Sequence, residues 1–201
     1  MILALDTSTA ACTAALFDDG GTCVASRDEQ IGRGHAERLA PMLEEMLEGR
    51  RADTILVGVG PGSFTGIRVG LAAAHGLAIG WNALIFGMSS LALLAASART
   101  QSETAAAMNG GHGELFVQQF DSDLHPAGDL LNLPPAAAAA AISAANVVGP
   151  GADALVAARG SGTAVAAWPS ASFAMTLPAE LRSLPAAPVY ARPPDAKATA
   201  A

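Results

Sequence analysis

Two short stretches hold most of the side chains with chemistry to offer. Asp6, Thr7, Ser8 and Thr9 place one carboxyl and three hydroxyls in consecutive positions, straight after the apolar run Ile2-Leu3-Ala4-Leu5. Further on, Gly60-Pro61-Gly62-Ser63-Phe64-Thr65-Gly66 follows a second apolar run and opens a long segment of small residues. Backbone N–H groups of a tight turn, together with a helix N-terminus, hold an anion without any lysine. On that ground Asp6, Thr7, Ser8, Gly60, Gly62, Ser63, Thr65 and Gly66 form a candidate phosphate site, weak and vestigial in kind. The plainer reading is an Asp- and Thr-rich turn that bonds only its own backbone. The loop lacks the closing Gly-Lys-Ser/Thr of a P-loop, and its glycines do not follow G-x-G-x-x-G.

Other chemistries find less support. His35, His75, His112 and His125 show neither H-x-x-x-H nor H-E-x-x-H spacing, and no cysteine pair could complete a zinc site, so no metal site is expected. Ser63 has Pro61 and Thr65 where a G-x-S-x-G elbow needs glycines. The charge balance argues against a nucleic-acid surface: a net charge of −7 and a pI near 4.9 repel a phosphate backbone.

The elements that must position these residues are legible from pattern. With 51% hydrophobic residues and mean hydropathy +0.37, the 201-residue chain has ample material for a core. Only 4% of residues are aromatic, so packing must be close and through small side chains. Residues 2–5, 11–17 and 22–27 read as three antiparallel strands, the last two joined by the turn Asp18-Asp19-Gly20-Gly21. Apolar residues between 33 and 50 recur at helical spacing, with Pro41 inside the pattern. A strand at 55–59, a helix at 66–81, a strand at 84–86 and a helix capped by Ser89 complete a first βββαβαβα unit.

The polar residues 99–103 mark the boundary between a lobe at 1–102 and a lighter one at 103–201. In the second, strands are expected at 104–108, 115–120, 146–148 and 164–168, with helices at 135–145 and after Gly149-Pro150-Gly151. A proline-rich tail from about 188 packs back on the first lobe in this reading. Cys12 and Cys23 fall on neighbouring strands and read as small buried hydrophobes, not a disulfide. The N-terminus has no basic region before Asp6, and no apolar run reaches bilayer length, so the expected location is the cytoplasm. Within 66–81, Gly66, Gly70, Ala74 and Ala78 recur every four residues, leaving a flat face for close approach. That face packs either on the chain's own sheet or on a partner.

Taken together, Ile2 to Thr9, His35-Ala36-Glu37-Arg38-Leu39, Gly60 to Arg68, Gly113-Glu114-Leu115-Phe116, and Pro188-Val189-Tyr190-Ala191-Arg192 with Pro194-Asp195-Ala196-Lys197 resemble the bacterial tRNA threonylcarbamoyladenosine biosynthesis family TsaB, also called YeaZ. The resemblance implies an α/β fold of the actin-like ATPase type, shared with sugar kinases and Hsp70, of two βββαβα lobes with the second reduced. It also implies a non-catalytic subunit, without an intrinsic cofactor, that binds and activates the larger metal-containing paralogue TsaD together with the small ATPase TsaE. TsaD transfers threonylcarbamoyl from an adenylate to tRNA, and ATP or ADP would lodge only at the complex boundary. Alone, the chain would form a homodimer, and it would meet tRNA only through the complex and no membrane.

Carried over to this sequence, the partner contacts are His35, Ala36, Leu39, Leu43, Ile67, Gly70, Ala74 and His75. Asn109-Gly110-Gly111 departs from the family's Asp-Ala-Arg, and Ala191 from its leucine. The competing readings are an autonomous actin-like ATPase or kinase using Asp6 and the glycine loop, and a protease acting on its paralogue.

Overall fold

The computed structural model describes residues 1–98 and 102–191. The Pro194-Asp195-Ala196-Lys197 signature and Arg192 lie outside the described residues. The first lobe runs β1 (Ile2–Asp6), β2 (Ala11–Phe17), β3 (Cys23–Gln30), α1 (His35–Leu47), β4 (Thr54–Gly58), α2 (Phe64–Trp81), β5 (Leu84–Met88) and α3 (Ser90–Ser97). The second runs β6 (Thr104–Asn109), β7 (Leu115–Phe120), β8 (Leu131–Leu133), α4 (Pro135–Ala141), β9 (Asn146–Val148), α5 (Ala152–Arg159) and β10 (Thr163–Val165).

Both sheets have one topology. The first is ordered β3-β2-β1-β4-β5 and the second β10-β9-β6-β7-β8, the same arrangement read from its other edge. In each, three antiparallel strands are followed by two parallel ones reached through helical crossovers.

The strand period of two sorts side chains into layers. On β1, Leu3 and Leu5 join the core under α1 and α2, while Ala4 faces the other way. On β6, Ala105 and Ala107 turn toward α4 and α5, and Ala106 and Met108 toward the first lobe. Between the sheets lies α3, whose sequence SLALLAAS is apolar on every side and whose residues 90–96 are all buried. A helix apolar all round must be enclosed on all sides. Ser89 caps it as expected, accepting from the Ala92 N–H at 3.2 Å.

The middle core joins Ala4, Phe17 and Leu56 of one lobe to Met108, Phe120 and Val148 of the other. A polar joint reinforces it: the Ala171 N–H donates to Thr13 Oγ1 at 2.7 Å, Ser170 Oγ donates to Asp28 at 2.7 Å, and Thr13 Oγ1 donates to the same carboxylate.

Some bounds differ from the sequence reading, for physical reasons. The helix expected at 135–145 ends at Ala141, because Gln119 Oε1 accepts from the N–H groups of Ser143 and Ala144 and draws that backbone into a loop. Strand β8 went unrecognised at three half-buried residues, too few for alternation to show. Strand β10 ends at Val165 rather than reaching 168. The return of the tail begins earlier than 188: Leu184 pairs with Gly87 through bonds of 2.7 and 3.0 Å, and the Val189 N–H donates to the Val59 carbonyl at 2.8 Å.

The cysteines divide. Cys12 is buried and Cys23 exposed, which corrects the expectation that both are core residues. Cys23 opens β3 at the sheet edge, where residues 23 and 24 face solvent. Burial pushes the Cys12 thiol up to about 11, so at pH 8 it holds almost no thiolate. Alkylation of the native protein is expected to modify Cys23 alone, and both cysteines only after denaturation, as counted by intact mass.

Candidate functional site

The hydroxyl turn after β1 and the glycine loop after β4 meet because β1 and β4 are parallel neighbours whose C-terminal ends lie side by side. Asp6 is 1% exposed and is the hub of the junction. Its Oδ1 accepts from the Ser8 N–H at 2.7 Å and from Ser8 Oγ at 2.6 Å; its Oδ2 accepts from Ser90 Oγ at 2.5 Å. Ser90 Oγ in turn accepts from the Gly60 N–H at 3.2 Å, tying the loop to the start of α3. A Cβ on Gly58 would lie 1.9 Å from Asp6 Oδ2, so a glycine there makes room for the carboxylate.

The remaining glycines bring α2 onto the turn. Thr7 Oγ1 donates to the Gly66 carbonyl at 2.7 Å, and the Ser63 N–H donates to the Ser8 carbonyl at 2.7 Å. A Cβ at Gly62 would come within 2.2 Å of the Ser8 carbonyl oxygen, and one at Gly66 within 2.0 Å of the Thr7 carbonyl oxygen. Ser63 caps α2, its Oγ accepting from the Gly66 N–H at 3.1 Å. The loop is thus a close-packed joint between β1, β4, α2 and α3.

Burial raises the Asp6 pKa, and the bonds from Ser8 and Ser90 only partly oppose that shift. A raised value in the folded state means that folded Asp6 takes up its proton more readily than the unfolded chain does. Its contribution to stability is present near the ordinary carboxylate value of 3.8 and is lost as pH rises through the raised value. Thermal melts over that pH range should show this downward slope in the wild type relative to Asp6→Asn, which lacks the titrating group.

A cleft of about 1290 Å3 opens between the lobes in front of this joint. Ser8, Gly62, Ser63, Thr65 and Gly66 line it; Asp6, Thr7 and Gly60 do not. Of the eight residues grouped as one candidate phosphate site, five therefore face the cleft and three lie behind it. Asp6 has both oxygens engaged inside the protein, and Thr7 is 1% exposed with its hydroxyl on Gly66. This donor set does not fit a metal-bound nucleotide triphosphate: the carboxylate that would face the cation is turned inward, and no lysine lines the cleft among the described residues. Among the described residues, no three His, Cys, Asp or Glu side chains gather as a metal-holding group.

From the second lobe, Asn109, Gly110 and Gly111 form the opposite rim. The returning tail adds Val189, Tyr190 and Ala191 to the lining. Tyr190 packs 5.6 Å from the Phe64 ring and accepts from Arg68 Nε at 3.2 Å, while the Arg68 guanidinium lies 3.6 Å over Phe64. The sequence reading passed over Arg33, Arg68 and Trp168, which share the cleft but are far apart along the chain.

The expected partner residues also divide. Leu39, Leu43, Ile67, Gly70 and Ala74 are buried within this chain, in the core between the helices and the first sheet, and so are not on an outer face. The cause is the four-residue stripe of α2, which lies flat on β1 and β4: a Cβ at Gly70 would meet Thr7 Oγ1 at 2.6 Å and Leu5 at 3.5 Å. His35 is 9% exposed, with Nε2 3.2 Å from the Ala11 carbonyl, which as an acceptor requires the proton on that nitrogen. Only Ala36 and His75 are exposed. The opposite side of α2 carries a second small-residue face, Ala72, Gly76 and Gly80, around Ile79, which is 84% exposed.

Two lobes of one topology, joined through a common core and meeting at a cleft below paired strand-end turns, define the actin-like ATPase fold. Residues 25–181 match the family model described as TsaD: tRNA N6-adenosine threonylcarbamoyltransferase. The solved structure of YeaZ from Pseudomonas aeruginosa is 33% identical, with a TM-score of 0.77, covering 94% of this chain and 98% of that one. TsaB of Escherichia coli is 35% identical over 130 residues, and an uncharacterised protein of Mycobacterium tuberculosis is 30% identical over 212 residues, 98% of this chain and 93% of that relative. The match spans 61% of this chain but only 55% of the Escherichia coli relative's length. The chain belongs to the TsaB/YeaZ family.

Proposed function

We propose that this chain is a non-catalytic cytoplasmic subunit in the formation of threonylcarbamoyladenosine in tRNA. It docks on a TsaD-type paralogue and supports its transferase activity, a TsaE-type ATPase joins the assembly, and alone it pairs with a second copy. Family membership and the printed names of its TsaB relatives support the pathway.

The observation that carries the docking reading is the outer face of α2. Ile79 is 84% exposed amid Ala72, Gly76 and Gly80, and Leu84, 64% exposed, follows just beyond the helix. A Cβ at Gly76 or Gly80 meets nothing within 4 Å, so this face has no occupant among the described residues. Small residues around a bulky apolar one let a second helix approach closely and bury a single anchor. The inward-turned Asp6 favours this subunit role over an autonomous ATPase. Size-exclusion chromatography with light scattering tests the docking: the chain mixed with a TsaD-type paralogue should elute as a heteromer, and separate elution would refute it. Among the described residues, no helix is long and apolar enough to cross a membrane.

A further inference from the structure

Among the described residues, the lining of the interlobe cleft carries a charge opposite to that of the chain. The protein has a net charge of −7, yet among the described residues the charged side chains lining the cleft are Arg33, Arg68 and a single acid, Glu37. Neither arginine meets a carboxylate among the described residues, whereas Arg38 and Arg50 are both ion-paired. The two cations come from different elements, Arg33 in the loop before α1 and Arg68 on the second turn of α2. Aromatic rings share the lining: Phe64 and Tyr190, which pack on each other and hold Arg68, and Phe116 and Trp168. At about 1290 Å3 the cleft exceeds the roughly 300–1,000 Å3 usual for one small molecule.

Two guanidiniums from different elements and four aromatic rings in one lining suit a ligand that carries both negative charges and apolar groups. A nucleotide triphosphate concentrates its charge and brings a cation, for which the inward-turned Asp6 provides no ligand. We propose that the cleft binds an acidic, extended peptide segment of a partner protein. Its carboxylates meet Arg33 and Arg68, in bidentate pairs where the geometry permits, and its apolar side chains pack on Phe64, Tyr190 and Trp168. This site is separate from the outer face of α2 and does not depend on docking there.

The test uses the isolated chain in a Trp81→Phe background, so that Trp168 is the only tryptophan and its fluorescence reports on the cleft. The probe is a short synthetic peptide alternating glutamate with leucine. Saturable quenching is expected, weakening with added salt and at least about tenfold weaker in the Arg33→Gln/Arg68→Gln double variant. Glu37→Gln, which removes the opposing carboxylate, should tighten binding. A lysine–leucine peptide of equal length should not bind. Equal binding of both peptides, binding indifferent to the arginines, or arginine-dependent binding of ATP without any of the acidic peptide would each overturn the proposal. Because no TsaD-type protein is present, none of these results bears on the docking face.

Discussion

Gly70→Leu is expected to destabilise the fold itself and not merely remove a partner. The first atom added, Cβ, would lie 2.6 Å from Thr7 Oγ1, which is held in place by its own bond to the Gly66 carbonyl. The rest of the side chain would have to enter the space between α2 and the sheet, where Leu5 and Val57 already stand 3.5 and 3.7 Å from that Cβ. Overpacking of this kind costs about 3 kcal/mol where neighbours cannot move, since interiors are packed at crystal density. For a chain of this size the melting temperature should fall by roughly 6–12 °C. Circular dichroism melts decide it; an unchanged midpoint would mean that α2 does not lie on β1 as described. Gly76→Leu, on the other side of the same helix, is the control, because its Cβ meets nothing within 4 Å. Removing a helical glycine there should leave stability unchanged or raise it by about 0.5–1 kcal/mol.

The second large effect is on association. Ile79→Glu should leave the melting temperature nearly unaltered, since the side chain is 84% exposed and substitutions at such positions usually fall within about 0.5 kcal/mol. Its affinity for a TsaD-type paralogue should drop by at least about thirtyfold, or roughly 2 kcal/mol, the loss typical of an anchor residue replaced in a desolvated contact. Gly76→Leu should weaken the same complex by holding the helices apart. Titration calorimetry with both variants checks this. Unchanged affinity in the pair would remove α2's outer face from the interface.

These two glycines show where sequence reading reached its limit. The four-residue recurrence from Gly66 to Ala78 was visible, and so was the presence of small residues on more than one face. Which face met the sheet was not visible, because Gly70 and Gly76 are chemically identical and only the position of β1 beneath the helix distinguishes them. The strands and helices of the first lobe could be read because their apolar residues alternate or recur over enough positions. The layers could not: Ile2-Leu3-Ala4-Leu5 is apolar throughout, and only the structure assigns Leu3 and Leu5 to one core and Ala4 to another.

The residues of the candidate site stand out in the sequence, but the direction in which Asp6 points does not. Asp6 and the hydroxyl turn were recognisable, but the group that turns Asp6 inward is Ser90, 84 positions away. No local signal marks that pairing. Arg33, Arg68, Trp168 and Tyr190 likewise become one cleft only once the tail returns to the first lobe and the two sheets face each other across α3.

In the role proposed above, this chain contributes structure, not chemistry, to tRNA threonylcarbamoylation. Reconstitution tests it most directly, with modified adenosine measured by mass spectrometry of digested tRNA. A TsaD-type transferase, a TsaE-type ATPase and the adenylate synthase should give little product until this chain is added, full product with the wild type or Asp6→Asn at a temperature where both are folded, and little with Ile79→Glu. Robust modification by the other three proteins alone would contradict the account.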